Sequence, residues 1–261
     1  MHNPKLLKTA RRLLPPWLKA RLDPFHARIE QRLTHFADEL PAGARVLDCG
    51  AGECQYRPFF ARARYVAVDN AVGDHAWDYS QLSVMGDLAA LPFADAIFDA
   101  AISTVTLEHV RVPALAIAEM RRVLRHPGKV FLAVPQFWEL HQAPHDYFRY
   151  TRCGTEYLLR QAGFEVERLE ATGGYFQVAG KLSIDLLQFV QNGWRRVFWV
   201  LLAPVFGLAI PLACYYLDKL DHQRSFTIGW IAVARTREEM PVPAPQRAEA
   251  MTAEALSEVQ R

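Results

Sequence analysis

Short apolar runs alternate with segments of helical periodicity along this chain of 261 residues, a pattern typical of α/β proteins. Separated by turn residues, the predicted strands lie at 46–48, 65–69, 97–104, 130–135 and 226–234. Because parallel strands end at the same edge of a sheet, the residues that close these runs are expected to lie close together.

The first two apolar runs each end in an acid. Asp48 closes the first run and precedes Gly50 and Gly52. Asp69 closes the second, about twenty residues further on, which is the spacing of a nucleotide-binding sheet. Glycine suits the turn because its backbone must bend tightly and approach a ligand without a Cβ in the way. Asp69 is then placed to accept hydrogen bonds from a ribose diol, so we expect an adenosine ligand.

The identity of the ligand is narrowed by what the sequence lacks. A dinucleotide fingerprint needs a third glycine where Gln55 stands, and no strand-linked Gly-Lys-Ser/Thr element for a triphosphate is visible. Asp48 would repel a pyrophosphate but suits a ligand that carries an ammonium group. These features indicate S-adenosylmethionine, whose carboxylate can lie near a helix N-terminus. The alternative is an ordinary strand–turn–helix in which the glycines serve packing.

Further motifs follow in a fixed order. They are D-C-G-A-G at 48–52, D-L-A-A-L-P-F at 87–93, F-D at 98–99, L-E-H at 107–109 and R-V-L-R-H-P-G-K at 122–129. In this order the chain resembles the class I S-adenosylmethionine-dependent methyltransferases, over about 45–164 and 226–234. Two departures, no third glycine after Gly52 and Lys129 in place of a second glycine, fall where the family carries no chemistry.

The resemblance implies an α/β fold: a Rossmann-like, doubly wound, seven-stranded and mostly parallel sheet with an antiparallel last strand. It also implies a set of cofactor-binding residues, transferred motif by motif. They are Asp48, Gly50 and Gly52 at the methionine moiety, Asp69 at the ribose, Asp87 and Leu88 at the adenine, Ser103 or Thr104 beneath the sulfonium, and Tyr56 over the amino acid end.

The loop at 135–151 carries the candidate chemistry for the methyl acceptor. It follows the carboxyl end of a strand, where ligands bind in open α/β sheets. A hydroxyl acceptor would need a base, and His145 is our first choice, with Asp146 orienting it or holding the loop. The alternative is a structural His145 that only binds the loop. Tyr147 and Trp138 are the candidate acceptor-binding aromatics.

Three more side chains near this loop have two readings each. His109 either lines the acceptor side or caps a helix. Arg149 either binds an anionic acceptor group such as a phosphate or forms a surface ion pair. His141 and His145 are spaced like half a metal site, but no third ligand lies at suitable spacing, so no metal is expected.

The first 40 residues combine basic charge with helical periodicity. Before Asp23 the chain has no acid and six basic residues, Lys5, Lys8, Arg11, Arg12, Lys19 and Arg21. Pro15 and Pro16 interrupt the pattern, and a second helix is predicted over 24–40. The segment is either a helix capping the cofactor cleft or a basic amphipathic surface for an anionic membrane.

The run at 197–217 contains no charged or amide side chain. As a straight helix it would reach about 32 Å, roughly one bilayer core. A single crossing would separate the last strand from its sheet, so we expect entry and exit on one face, as a bent helix or hairpin broken at Pro204, Gly207 and Pro211. The whole insertion, 178–224, is predicted to insert shallowly into a membrane; the alternatives are a buried lid and a homodimer interface.

Composition fits a globular enzyme, with 51% hydrophobic residues and a formal charge of +2. The charge is concentrated at one end, without an aromatic-basic groove pattern, which argues against a nucleic-acid partner. The four cysteines show neither metal nor disulfide spacing, and the first residues lack the apolar core of a signal peptide. We therefore expect a cytoplasmic protein, peripheral or monotopic at the membrane face.

The sequence thus predicts four parts. They are basic N-terminal helices at 1–40, a cofactor-binding domain at 41–177 and 225–236, an apolar insertion at 178–224 and a disordered tail at 237–261. The expected function is S-adenosylmethionine-dependent O-methylation of a hydrophobic or membrane-borne acceptor, such as a lipid-linked glycan, an isoprenoid quinone precursor or a related lipid. The alternatives are a soluble small-molecule acceptor and a membrane scaffold that binds cofactor without catalysis.

Overall fold

A seven-stranded sheet forms the centre of the computed structural model, which describes residues 14–73 and 76–238. The strands are β1 (Arg45–Cys49), β2 (Arg64–Asp69), β3 (Val84–Met85), β4 (Phe98–Thr104), β5 (Leu124–Pro135), β6 (Phe164–Ala171) and β7 (Gly229–Thr236). Their order across the sheet is β3-β2-β1-β4-β5-β7-β6. The predicted doubly wound α/β architecture is confirmed.

Strand direction also follows the prediction. β1 pairs in parallel with β2 and β4, and β4 with β5. β7 lies antiparallel between β5 and β6, with Gly229 opposite Pro135 and Trp230 opposite Ala171. Asp48, Asp69 and Thr104 therefore come together at the carboxyl edge of the parallel strands.

Two layers of helix cover the sheet, because neighbouring strand residues point to opposite faces. The remaining helices are α1 (Pro16–Leu22), α2 (Pro24–Asp38), α3 (Pro113–Val123), α4 (Arg152–Gln161), α5 (Tyr175–Leu186), α6 (Arg196–Pro204) and α7 (Ile210–Leu217). Leu47 and Leu132 pack in one core with side chains of α3 and α4. Val46 and Phe131 pack in the other with side chains of α2.

The predicted helix over 24–40 is α2. Pro24 occupies its first turn, and the Asp23 carboxylate accepts a hydrogen bond from the His26 amide at 3.4 Å. Its buried face repeats at helical spacing with Phe25, Ile29 and Leu33. The predicted break at the proline pair is the start of α1, and the basic residues before position 14 lie outside the described residues.

No α-helix directly follows the glycine turn in the described part of the chain, although a helix N-terminus was considered for the cofactor carboxylate. Between β1 and β3 the only helical segments among the described residues are two short 3₁₀ turns, Arg57–Phe60 and Tyr79–Gln81. Cys54 has φ +57°, outside the right-handed helical region, and Pro58 has no N–H to donate. A cofactor carboxylate at this turn would therefore meet turn amides rather than the N-terminus of an α-helix.

The insertion is a helical hairpin, but its turn lies before the apolar run rather than inside it. One leg is α5; the other is α6 and α7, joined by a π-helical turn at Val205–Ala209. Hence Pro204 and Gly207 lie at a widened turn of a helix that continues. Of the two predicted shapes for 197–217 the hairpin is wrong, and the bent helix stays a prediction. We call residues 175–220 the apolar hairpin.

Close packing and capping hold the two legs antiparallel. A Cβ at Gly180 would lie 3.1 Å from Cβ of Cys214, so the backbones approach closely there. Nearer the tip, the Ser183 hydroxyl donates to the Phe206 carbonyl at 2.9 Å. At the base, the buried Asp218 carboxylate accepts from the Gly174 and Gln177 amides and caps α5. These contacts fix the base of the hairpin to the chain that leaves β6.

The long leg has little cover. Within the described residues one helix, Gly193–Leu220, has the length and apolar composition of a membrane span, and only 6% of its most apolar window is buried. Trp194 is 76% exposed, and Leu201 is 66% exposed. The predicted tail, from residue 239 onward, lies outside the described residues.

Candidate functional site

The glycine turn after β1 has no room for side chains. Gly50 has φ +83° and Gly52 has φ +51°, both in the left-handed region. A Cβ at Gly50 would lie 2.0 Å from Cγ2 of Thr106, whose hydroxyl donates to the Gly50 carbonyl at 3.2 Å. The turn is therefore packed directly against the chain that leaves β4.

Asp48 is fully buried beneath this turn. The Tyr65 hydroxyl donates to its Oδ2, while Oδ1 has no hydrogen-bond partner among the described residues. Burial raises the pKa of Asp48 to about 7, although the Tyr65 hydrogen bond opposes the rise. An unpaired buried carboxyl of this kind fits the ammonium group of S-adenosylmethionine, because a cation would satisfy Oδ1 and favour its ionised form.

Asp69 ties the end of β2 to the same turn. Its Oδ2 accepts from the Gly52 amide at 2.9 Å, and its Oδ1 accepts from the Ala71 amide at 2.8 Å. A carboxylate has about four acceptor positions, so two remain for a ribose diol. The ribose assignment stays a prediction, and the structure adds a second task for Asp69, which is to fix the turn.

The other predicted cofactor residues surround these two acids unevenly. Ser103 and Thr104 are buried at the end of β4, and the Ser103 hydroxyl has no partner among the described residues. Tyr56 is buried close to Thr104, and burial raises the pKa of its phenol to about 12. Leu88 lies in the core, whereas Asp87 is exposed and accepts from the Ala89 amide at 2.9 Å.

The acceptor loop, residues 136–150, is held by an ion pair between Arg149 and Asp146. Arg149 donates to both Asp146 oxygens at 2.6 and 2.8 Å, and also to the carbonyls of Trp138, Glu139 and Phe148. These contacts use all five guanidinium N–H groups. The contacts favour the ion-pair alternative for Arg149, formed within the loop rather than at the surface, and its binding of an anionic acceptor stays a prediction.

Asp146 likewise holds the loop. It also accepts from the His141 amide at 2.8 Å. Although burial opposes ionisation, the Arg149 hydrogen bonds lower the pKa of Asp146 to about 2. These contacts fit the predicted loop-holding role of Asp146, whereas its orienting of His145 stays a prediction.

His145 has Tyr147 as its ring partner. Its Nδ1 lies 3.2 Å from the Tyr147 hydroxyl, which also accepts from Nε of Arg111 at 3.1 Å. The ring is partly exposed at the open side of the loop. His145 as a base and Tyr147 as an acceptor contact both stay predictions.

The short 3₁₀ turn Leu107–His109 meets the acceptor loop in a group of titratable side chains. Nδ1 of His109 lies 2.5 Å from the His145 carbonyl, and its ring centroid lies 4.7 Å from that of His141. Glu108 is fully buried, and burial raises its pKa to about 8. Burial also lowers the pKa of His109. The His109 ring thus packs against the His141 ring of the acceptor loop.

Trp138 connects the loop to both helical additions. Its ring lies 5.3 Å from that of Phe25 in α2 and 4.6 Å from Nζ of Lys181 in α5. Lys181 in turn binds the Glu139 carboxylate and donates to Asp185 at 2.7 Å. Sequence spacing gave no signal for Lys181, and the L-E-H motif marked Glu108 without a role, because their neighbours come from distant parts of the chain.

The sheet order, the glycine turn and the buried acid define the class of this protein. Residues 47–132 match the family model described as a methyltransferase domain. These residues carry a class I S-adenosylmethionine-dependent methyltransferase domain, as the motifs predicted, and the cofactor of this class is S-adenosylmethionine.

Three known proteins illustrate the similarity. An S-adenosylmethionine-dependent methyltransferase of Mycolicibacterium smegmatis is 34% identical over 174 residues, 61% of this chain and 64% of that protein. A demethylmenaquinone methyltransferase of Mycobacterium marinum is 36% identical over 107 residues, 40% of this chain and 46% of that protein. This chain therefore spans less than two thirds of the length of either relative.

A solved structure shares the fold. It is a Burkholderia thailandensis 1,6-didemethyltoxoflavin-N1-methyltransferase with S-adenosylhomocysteine bound, 16% identical in sequence. The TM-score is 0.51, with 87% of this chain and 92% of that chain covered.

Proposed function

We propose that this protein transfers a methyl group from S-adenosylmethionine to a hydroxyl of a hydrophobic acceptor at a membrane surface. The observation that carries the proposal is the exposed apolar hairpin, which leaves the same sheet edge as the cofactor turn and contacts the acceptor loop. Candidate acceptors are a lipid-linked glycan, an isoprenoid quinone precursor and a related lipid. The M. marinum relative, named for demethylmenaquinone, supports the quinone class.

The exposed surface of the apolar hairpin is large for a protein surrounded by water. Its uncovered side chains include Leu182, Leu186, Phe189, Trp194, Val197, Phe198, Val200 and Leu201. Contiguous apolar patches of this kind mark contacts with a membrane or another macromolecule. An aromatic residue at the tip, Trp194, suits the boundary between headgroups and acyl chains.

Charge favours a membrane as the partner of this surface. Arg195 and Arg196 stand beside Trp194 at the tip, and Lys19 and Arg21 lie on α1, which packs against α7. Each basic residue near an anionic surface contributes about 1 kcal/mol. The apolar run supplies no acid to oppose this attraction. A shallow wedge with a basic border thus supports monotopic binding.

Contacts at the root of the apolar hairpin link membrane binding to acceptor delivery. Lys181 directly precedes the exposed Leu182 on α5 and binds the Glu139 carboxylate of the acceptor loop. Its ammonium group also lies over the Trp138 ring. A lipid entering along α5 would therefore reach Trp138 before the polar part of the loop.

The chemistry requires positioning more than bond activation. When bound, the cofactor supplies a methyl group that its sulfonium has already activated. The chain's tasks are to align the acceptor and exclude water. His145 is the proposed base; a hydrogen bond from its Nδ1–H to Tyr147 would leave Nε2 free to take the hydroxyl proton.

A lipid-labelling experiment tests this function. The purified full chain is incubated with methyl-labelled S-adenosylmethionine and either a total lipid extract or the aqueous extract of the same cells. We expect label in an organic-soluble product, absent with Asp48→Asn. Label only in a water-soluble product would instead support a small-metabolite methyltransferase. No labelled product in either extract, with cofactor bound, would support a non-catalytic scaffold.

Vesicle binding tests the surface itself. Leu201→Asp should lower the affinity for anionic vesicles, measured by co-sedimentation, by about 30-fold, because about 2 kcal/mol of apolar contact is lost. Leu115→Asp makes the same substitution at an exposed leucine on α3, outside the apolar hairpin, and should leave binding unchanged. Absence of wild-type binding, together with a stable dimer in solution, would assign the apolar hairpin to a homodimer interface.

A further inference from the structure

We propose that Glu108, His109 and His141 form a binding site for a divalent transition-metal ion of the zinc type. Each residue offers one ligand atom, and the three atoms lie within 4.8 Å of one another. Two imidazoles and one carboxylate are a ligand set suited to Zn²⁺ and its first-row neighbours. The proposal stands on this cluster alone and does not depend on the acceptor.

The carboxylate of Glu108 is the first argument for a cation. The side chain is fully buried, and neither oxygen has a hydrogen-bond partner within 14–73 and 76–238. Arg149, the cationic side chain that acts electrostatically on Glu108, donates its hydrogen bonds to Asp146 and to backbone carbonyls instead. A buried carboxyl with two unused oxygens is costly unless it is paired or coordinates a metal.

The histidines supply the second argument. Nδ1 of His109 faces the His145 carbonyl, and Nδ1 of His141 lies 3.0 Å from the Glu139 carbonyl. A carbonyl only accepts, so each ring in its neutral form carries its proton on Nδ1 and presents an unprotonated Nε2. Metal-binding histidines are oriented in this way by a carbonyl or carboxylate behind them. Nε2 of His109 is itself buried and has no partner in the described part of the chain.

Bond lengths set what the site must do on binding. Zinc–nitrogen and zinc–oxygen bonds of about 2.0–2.2 Å place tetrahedral ligand atoms about 3.4 Å apart. Nε2 of His109 already lies 3.8 Å from Oε1 of Glu108. The ligand atom of His141 lies within 4.8 Å of the other two, so binding would draw it inward by up to about 1.4 Å. Three protein ligands would leave at least one position open for water or another oxygen ligand.

The test is metal binding by the full chain after treatment with a chelator. Equilibrium dialysis against Zn²⁺, followed by elemental analysis, should find one bound ion per chain. Co²⁺ in its place should give visible absorption bands of four- or five-coordinate geometry. Glu108→Gln and His141→Gln should each weaken Zn²⁺ binding by at least about tenfold.

His222→Ala is the matched control, because His222 is exposed and stands outside the cluster. Zn²⁺ should raise the unfolding temperature of wild type and of this control, but not of the two cluster variants. If Glu108→Gln does not fold, His141→Gln provides the test, because His141 is partly exposed and its replacement disturbs the core less. Unchanged binding in His141→Gln, loss of binding in His222→Ala, or no stoichiometric binding by wild type would each overturn the proposal.

Discussion

The two halves of the candidate site are built in different ways. The cofactor half consists of residues at the carboxyl ends of β1, β2 and β4. Its shape depends on the backbone conformation at Gly50 and Gly52. The acceptor half consists of side chains from the 3₁₀ turn, the loop and α5, joined by long-range contacts. The comparison teaches that a ligand common to a whole family can be held by backbone, whereas a specific acceptor needs assembled side chains.

The largest expected effect comes from filling the glycine turn. Gly50→Ala places a Cβ 2.0 Å from Thr106 in a left-handed residue, so we expect a loss of about 3–4 kcal/mol of stability and of measurable cofactor binding. Gly43→Ala is the control, because Gly43 has φ +78° with nothing within 4 Å. It should cost only the conformational strain, about 1 kcal/mol. Denaturant unfolding and calorimetry measure both; equal losses would show that close packing at Gly50 is unimportant.

Breaking the ion pair of the acceptor loop should come next. Arg149→Ala leaves the buried Asp146 carboxylate unpaired, at a cost of about 3 kcal/mol in the free energy of unfolding. Arg160→Ala removes an exposed pair with Glu156 and should cost less than about 0.5 kcal/mol. If the halves are independent, cofactor affinity measured on folded Arg149→Ala stays close to wild type. A parallel loss of cofactor affinity would contradict that separation.

Removing the ribose carboxylate should weaken the cofactor half alone. Asp69→Ala deletes the acceptor for the Gly52 and Ala71 amides as well as the predicted ribose contact. We expect cofactor affinity to fall by at least about tenfold, or ~1.4 kcal/mol, in calorimetry. Unchanged affinity would reject the ribose assignment.

The smallest effect is a pH dependence of cofactor binding through Asp48. With its pKa raised to about 7, the fraction ionised falls from about one half at pH 7 to about one eleventh at pH 6, so affinity should weaken about fivefold. Asp48→Asn should bind weakly without this step.

The same raised pKa fixes the sign of a stability effect in the protein without cofactor. Between about pH 4 and pH 7 the folded chain holds a proton on Asp48 that the unfolded chain has lost. Wild type should therefore lose stability relative to Asp48→Asn as pH rises through this window. A difference that grows in the opposite direction would contradict burial as the cause.

Much of the fold followed from the sequence because its signals are local. Apolar runs predicted five of the seven strands, helical periodicity predicted α2 from Pro24, and the family resemblance implied an antiparallel last strand. The same local signals do not show that 3₁₀ turns follow the glycine turn, because the positive φ of Cys54 has no signature in the sequence.

What the amino-acid sequence determined by itself is the cofactor half: two acids at strand ends and glycines between them, whose placement follows from the period and direction of the strands. The tertiary structure alone decided the acceptor half. It directed Arg149 to Asp146, brought Glu108 and His109 to His141, and turned the insertion back before its apolar run rather than within it. These outcomes depend on which distant side chains become neighbours and which are removed from water, and neither property is carried by local spacing.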